Sequence, residues 1–81
     1  MIQLEQLERD GVEYANQSNY EAALSSFTKA IDICPTYASA YNNRAQLHRI
    51  LGNGELAMSD LNEAIDHGEP YPSTLMQVLK I

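Results

Sequence analysis

At 81 residues the chain is long enough for one small domain, and a fold of that size removes only about 60% of its unfolded surface from water, so its stability is expected to be marginal. Hydrophobic residues at 44% and charged residues at 20% exclude an intrinsically disordered composition. Five basic against eleven acidic residues leave a net charge of −6, which argues against nucleic acid or an anionic membrane as partner, because both attract proteins through a basic surface.

The opening decapeptide, MIQLEQLERD, is acidic and has no long apolar core, so no secretory leader is expected. Nowhere does the chain approach the ~20 apolar residues of a membrane-spanning helix. Cys34 is the single cysteine, which rules out an intrachain disulfide. It suits a reducing compartment, so a cytoplasmic location is expected, with Cys34 as a small buried hydrophobe.

The apolar period of an α-helix, interrupted by Gly, Asn and Pro, predicts four helices at about 3–17, 20–33, 37–51 and 54–67. Asn19 is placed to cap the second helix. Pro35 stops it, because proline cannot extend the backbone hydrogen-bond ladder. Gly52-Asn53-Gly54 reads as the turn between the third and fourth helices. Further on, Ser73 can cap a short helix over 72–81 with Leu75, Met76, Val78, Leu79 and Ile81 as its apolar stripe. The expected fold class is all-α: two helix-turn-helix hairpins plus a short C-terminal helix.

A shift of 34 residues lays the second half of the chain on the first. Leu7 falls on Tyr41, Gly11 on Ala45 and Tyr14 on His48. Ala23 falls on Ala57, Phe27 on Leu61, Ala30 on Ala64 and Ile31 on Ile65. Small residues coincide with small ones and large with large. That is the pattern of two helices crossing closely at Gly11, Ala23 and Ala30, with Tyr14, Phe27, Tyr41 and Leu61 filling the space beside the crossings. The units expected are 4–37 and 38–71, with 72–81 as a capping helix or tail. A single hairpin cannot bury its apolar faces alone, so the units must stack.

Leu7, Asp10, Gly11, Tyr14, Ala23, Phe27 and Pro35 resemble the consensus of the tetratricopeptide repeat family. A second copy reads Tyr41, Arg44, Ala45, His48, Ala57 and Leu61, with Pro70 one place late. Asp10 and Arg44 depart from the consensus by putting charge where an apolar residue is usual. The resemblance implies a superhelix of hairpins that acts as a protein–protein interaction module with no enzyme activity and no cofactor. The run ASAYNNRAQ is similar to a small branch of the family whose members carry a third repeat and are associated with the seventy-kilodalton heat-shock chaperone, which makes that chaperone the expected partner. The ending HGEPYPSTLMQVLKI does not continue the consensus.

In such stacks the first helix of each hairpin lines a concave groove. The groove side is expected to carry Ser39, Asn42, Asn43, Gln46 and Arg49, and in the first unit Glu5, Glu8, Arg9, Val12 and Asn16. The partner-binding residues expected are Arg9, Asn16, Asn42, Asn43, Gln46 and Arg49. Amides both donate and accept, so they suit the backbone of an extended peptide, although solvated helix positions would explain each of them as well. Some family members clamp the C-terminal carboxylates of heat-shock chaperones with lysine, asparagine and arginine. In that comparison Asn43 matches an asparagine of the clamp, whereas Glu8 and Val12 stand where lysine and asparagine belong. A carboxylate beside Glu8 would be repelled, so weak or no binding of acidic tails is expected through the clamp, with Arg9 and Arg49 as an alternative positive pair.

His48 and His67 are not spaced with each other or with Cys34 as a metal site requires, and the acidic residues fall on expected solvent faces. Cys34 has no histidine near it in sequence to act as a base, and no phosphate-binding glycine loop occurs. Two functions compete: an adaptor that holds a peptide or chaperone segment in the groove, and a small helical protein that self-associates through its apolar residues 73–81.

Overall fold

The computed structural model describes residues 4–68. They form α1 (Leu4–Asn16), α2 (Tyr20–Ile33), α3 (Ala38–Ile50) and α4 (Gly54–Asp66), with no strand among the described residues. The expected helix at 72–81, and Pro70, lie outside them.

The helix ends follow from local chemistry. Ser18 (φ 63°) and Gly52 (φ 83°) occupy the same place in the two units, two residues past each first helix, in the left-handed region. The Asn19 N–H reaches back to the Tyr14 carbonyl at 2.8 Å and the Asn53 N–H to that of His48 at 2.7 Å, satisfying carbonyls that the helix leaves open. The Asn19 side chain then accepts from the Ala22 N–H at 3.4 Å and starts α2, as its position predicts. At the far end of α2 the Cys34 N–H closes on the Ala30 carbonyl, and Pro35 forbids a further turn.

Helices α1 and α2 form one hairpin and α3 and α4 a second; α3 also lies against α2 and touches α1. Gly11 is the point of closest approach in the first hairpin. A Cβ there would stand 2.6 Å from both Cε1 and Cζ of Phe27, nearer than real Cβ atoms come. Its counterpart Ala45 is 1% exposed. One core cluster gathers Ala15, Ala23, Phe27 and Leu47, with Val12, Tyr20, Leu24 and Ile50 against it. The other joins Ala30, Ile31, Ala40, Tyr41 and Ala64, with Leu4, Leu7 and Tyr37 against it. Each cluster draws on both hairpins, so burial of apolar surface holds the units together as well as the helices within them.

Three packing expectations differ. Tyr14 is exposed and does not fill the core. Its counterpart His48 turns toward Asp60 of α4, and where α4 has Asp60 the first unit has Ser26. Cys34 is only half-buried, because the cap position holds it at the surface with its Sγ 3.6 Å from the Thr36 hydroxyl. Asp60, expected on a solvent face, is buried and receives two hydrogen bonds of 2.8 Å from the Arg44 Nε and Nη2.

Candidate functional site

The side-by-side first helices α1 and α3 are joined by polar groups as well as by the core. Glu8 on α1 accepts from the Tyr37 hydroxyl at 2.6 Å and from the Asn43 amide at 3.1 Å through its two carboxylate oxygens, and also from the Ser39 hydroxyl. Burial, then the hydrogen bond to Glu8 and its charge, push the Tyr37 phenol up to about 12. A short acidic side chain thus fixes the separation of two helices. Sequence reasoning gave Glu8 only a repulsive part. The 29- to 35-residue spacing to its donors is long-range, and only the repeat register could have brought Tyr37, Ser39 and Asn43 to it.

Along α1 runs a shallow groove lined by Glu5, Glu8, Arg9, Val12 and Glu13. Three carboxylates face one guanidinium there, so the local field is negative and unfavourable to an anionic ligand. Arg9 stands exposed and donates to the Gln6 side chain at 3.1 Å, while Gln6 donates to Asp10 at 2.8 Å. Asn16 is exposed in the last turn of α1, and Arg49 is exposed in the last turn of α3. These two stand at the same end of their respective hairpins.

The three amides expected beside them are inside the protein. Asn43 is 6% exposed and is bound to Glu8. Asn42 is 0% and Gln46 2% exposed, and no atom of either amide finds a hydrogen-bond partner among the described residues. The structure therefore corrects the expected position of Asn42, Asn43 and Gln46. Polarity alone does not mark a free surface. Of the six expected contact residues, Arg9, Asn16 and Arg49 remain accessible.

The group that sequence reasoning missed is Arg44 with Asp60. The guanidinium bonds Asp60 in a fork and reaches the Thr28 hydroxyl at 3.3 Å, which ties α2, α3 and α4 together. It lies 5.7 Å from the Tyr41 ring, whose hydroxyl donates to the Pro35 carbonyl at 2.8 Å and which stacks on His67. The hydrogen bonds to Asp60 hold Arg44 above its ordinary pKa. His48 Nε2 adds a contact of 3.7 Å to the same carboxylate. Arg44 at an apolar consensus place and Asp60 in the same unit compensate each other, and that pairing was the available signal. The cluster is structural, since its charges already satisfy one another.

Among the described residues no group of three His, Cys, Asp or Glu side chains is placed to hold a metal ion, and no helix is long and apolar enough to cross a membrane.

A comparison with known proteins agrees with this geometry. A family described as TPR repeat matches residues 11–52. Tetratricopeptide repeat protein 36 of Caenorhabditis elegans is 46% identical over 72 residues, which cover 89% of this chain and 40% of that protein. The homolog from Nematostella vectensis is 50% identical over 70 residues, covering 86% of this chain and 39% of that one. The Homo sapiens protein is 45% identical over 67 residues, covering 79% and 35%. The chain spans about two-fifths of the length of the first two of these curated relatives, 40% and 39%. No solved structure matches it significantly. With a repeat match over half its length and the paired hairpins to go with it, the chain belongs to the tetratricopeptide repeat family.

Proposed function

We propose that the chain is a co-chaperone-like adaptor that holds a segment of a partner protein along the face formed by α1 and α3. What supports the reading is that Arg9, Asn16 and Arg49 stay exposed on helices that Glu8 holds at a fixed separation. The wall is preorganised, so a ligand need not order it, and that lowers the cost of binding. Tetratricopeptide repeats are interaction modules, and the seventy-kilodalton heat-shock chaperone is the partner suggested by the resemblance. The segment it offers is not its acidic tail. Glu5, Glu8 and Glu13 line the groove, and Asn43, the one match to the carboxylate clamp, already donates to Glu8.

Calorimetric titration of the full chain with purified chaperone, and separately with its acidic C-terminal peptide, tests this reading. The whole chaperone binds, the peptide alone binds weakly or not at all, and Arg49→Glu weakens chaperone binding by roughly tenfold, about 1.4 kcal/mol. Full-strength binding of the peptide, or unchanged chaperone affinity in Arg49→Glu, contradicts it.

A second reading, self-association, is favoured by the exposure of Met58 and Ile65 on α4. Sizing over a hundredfold dilution separates the two: a dimer that dissociates on dilution supports self-association, and a monomer at every concentration supports the adaptor.

A further inference from the structure

Asn19 and Asn53 fill one place in the repeat and cap α2 and α4 with almost the same backbone, φ −92° and ψ 76° against φ −98° and ψ 71°. Their side chains are held differently. The Asn19 Oδ1 accepts from the Ala22 N–H at 3.4 Å, whereas the exposed Asn53 side chain makes no capping bond. The following residue differs too. Tyr20 packs against the core cluster of Phe27 and Leu47. In its place the second unit has Gly54, where a Cβ would find nothing within 4 Å. Asn53-Gly54 is the one Asn-Gly pair in the sequence.

Any asparagine sets an electrophile beside a nucleophile, because the backbone nitrogen of the next residue can close a five-membered ring on the side-chain Cγ. Three things normally prevent it: a bulky next side chain, hydrogen bonds on the reacting groups, and a backbone that cannot turn. Two of these are lifted here. Glycine brings no side chain to block the approach. The Gly54 N–H, the first of α4, donates to no carbonyl among the described residues, being one of the donors that a helix leaves open. It also lies at the positive end of the helix dipole, which favours loss of its proton. The third restraint is local. The Asn53 carbonyl accepts from the Ala57 N–H at 3.0 Å, so ring closure waits on opening of the first turn of α4. Residues 51–56 are all exposed, and an exposed helix end opens at small cost.

We propose that Asn53-Gly54 is a site of spontaneous deamidation, where Asn53 converts to aspartate and isoaspartate. The Gly54 nitrogen gives its proton to hydroxide and attacks the Asn53 Cγ. The N–Cγ bond forms, the Cγ–Nδ2 bond breaks, and Nδ2 takes up a proton and leaves as ammonia. One water then opens the cyclic imide. Cleavage between the Gly54 nitrogen and Cγ restores the main chain and leaves aspartate. Cleavage between that nitrogen and the Asn53 carbonyl carbon leaves isoaspartate, with the main chain running through Cγ. In sum one water is consumed and one ammonia released, with no change of oxidation state.

The two products act oppositely on the fold. Aspartate brings a negative charge to the cap of α4, where the helix dipole and the open N–H groups favour it. Isoaspartate inserts a methylene into the main chain at the cap and loosens the α3–α4 hairpin. The fold protects the related pair Asp10-Gly11, which lies inside α1 with Gly11 buried against Phe27. None of this rests on the adaptor reading, since it concerns the turn between α3 and α4.

Incubating the full chain for weeks at neutral pH and body temperature, with mass spectrometry of the whole chain and of its proteolytic peptides, tests the proposal. The mass gain of an amide becoming an acid appears at residue 53 before any other asparagine, as two separable isomers with isoaspartate the larger share, and faster as hydroxide rises. Gly54→Ala, whose methyl enters open space, slows the conversion several-fold. The isolated isoaspartate form unfolds at lower urea than the unaltered chain, and the aspartate form does not. An Asn53 that stays intact, or that converts after Asn16, Asn19 or Asn62, overturns the proposal. So does aspartate without isoaspartate, which means direct hydrolysis and no ring, and so does an unchanged rate in Gly54→Ala. If that variant fails to fold, the order of conversion and the isomer ratio in the unaltered chain still decide.

Discussion

Ser18 and Gly52 fill one place in the repeat, and both adopt a positive φ, yet only glycine does so without steric cost. Ser18→Gly is therefore expected to stabilise the chain by about 0.5–1 kcal/mol, read as a higher urea midpoint at unchanged slope. A second residue-scale consequence concerns Tyr37. Its phenol is pushed from 10.0 up to about 12 in the fold, by burial first and by Glu8 next. A folded pKa above the unfolded one means the fold favours the protonated phenol. The stability this contributes is complete below pH 10 and is lost as pH rises toward 12. Tyr37→Phe should lower stability near neutrality by about 1 kcal/mol, the value of one hydrogen bond, and should make the alkaline decline shallower. Unfolding curves between pH 8 and pH 12 would show both.

Among elements, the crossings depend on volume and charge in different ways. Gly11→Ala drives a methyl into the Phe27 ring, so about 1–3 kcal/mol of destabilisation is expected from overpacking. Asp60→Ala leaves the Arg44 guanidinium without its fork and should cost about 2–3 kcal/mol, toward the low side of buried pairs because Arg44 keeps 22% of its side chain in solvent. Replacing both, Arg44→Met with Asp60→Leu, should recover most of that loss, since apolar groups of similar volume need no ionic partner. Denaturant titration of the single and double variants measures the difference. The four helices, the Asn19 cap and the crossing at Gly11 were legible in the sequence because they rest on local periodicity and on residues with few alternatives, such as Gly11, Asn19 and Pro35. Arg44 with Asp60 was not, because each residue alone reads as an exposed charge and only the fold sets them opposite one another.

For the molecule as a whole, the repeat register is the link between sequence and partner. It led to two hairpins, which the four helices form, and it set Asn42, Asn43 and Gln46 on the groove side, where burial now encloses all three. In the structure Asn43 donates to Glu8, while Arg9, Asn16 and Arg49 are exposed. A two-unit stack exposes more apolar surface than a longer one, and Met58 and Ile65 are where this shows. The proposed adaptor face depends on α1 and α3 lying side by side, joined through Glu8. The most direct measurement of that arrangement is the set of NMR cross-peaks between the Asn43 side-chain amide and the Glu8 methylenes, with the exchange rate of that amide compared with Asn16. Cross-peaks to Glu8 and slowed exchange at Asn43, against fast exchange at Asn16, are the predicted result. An Asn43 amide that exchanges as fast as Asn16 and shows no contact with Glu8 would mean that the two hairpins are not held in this register.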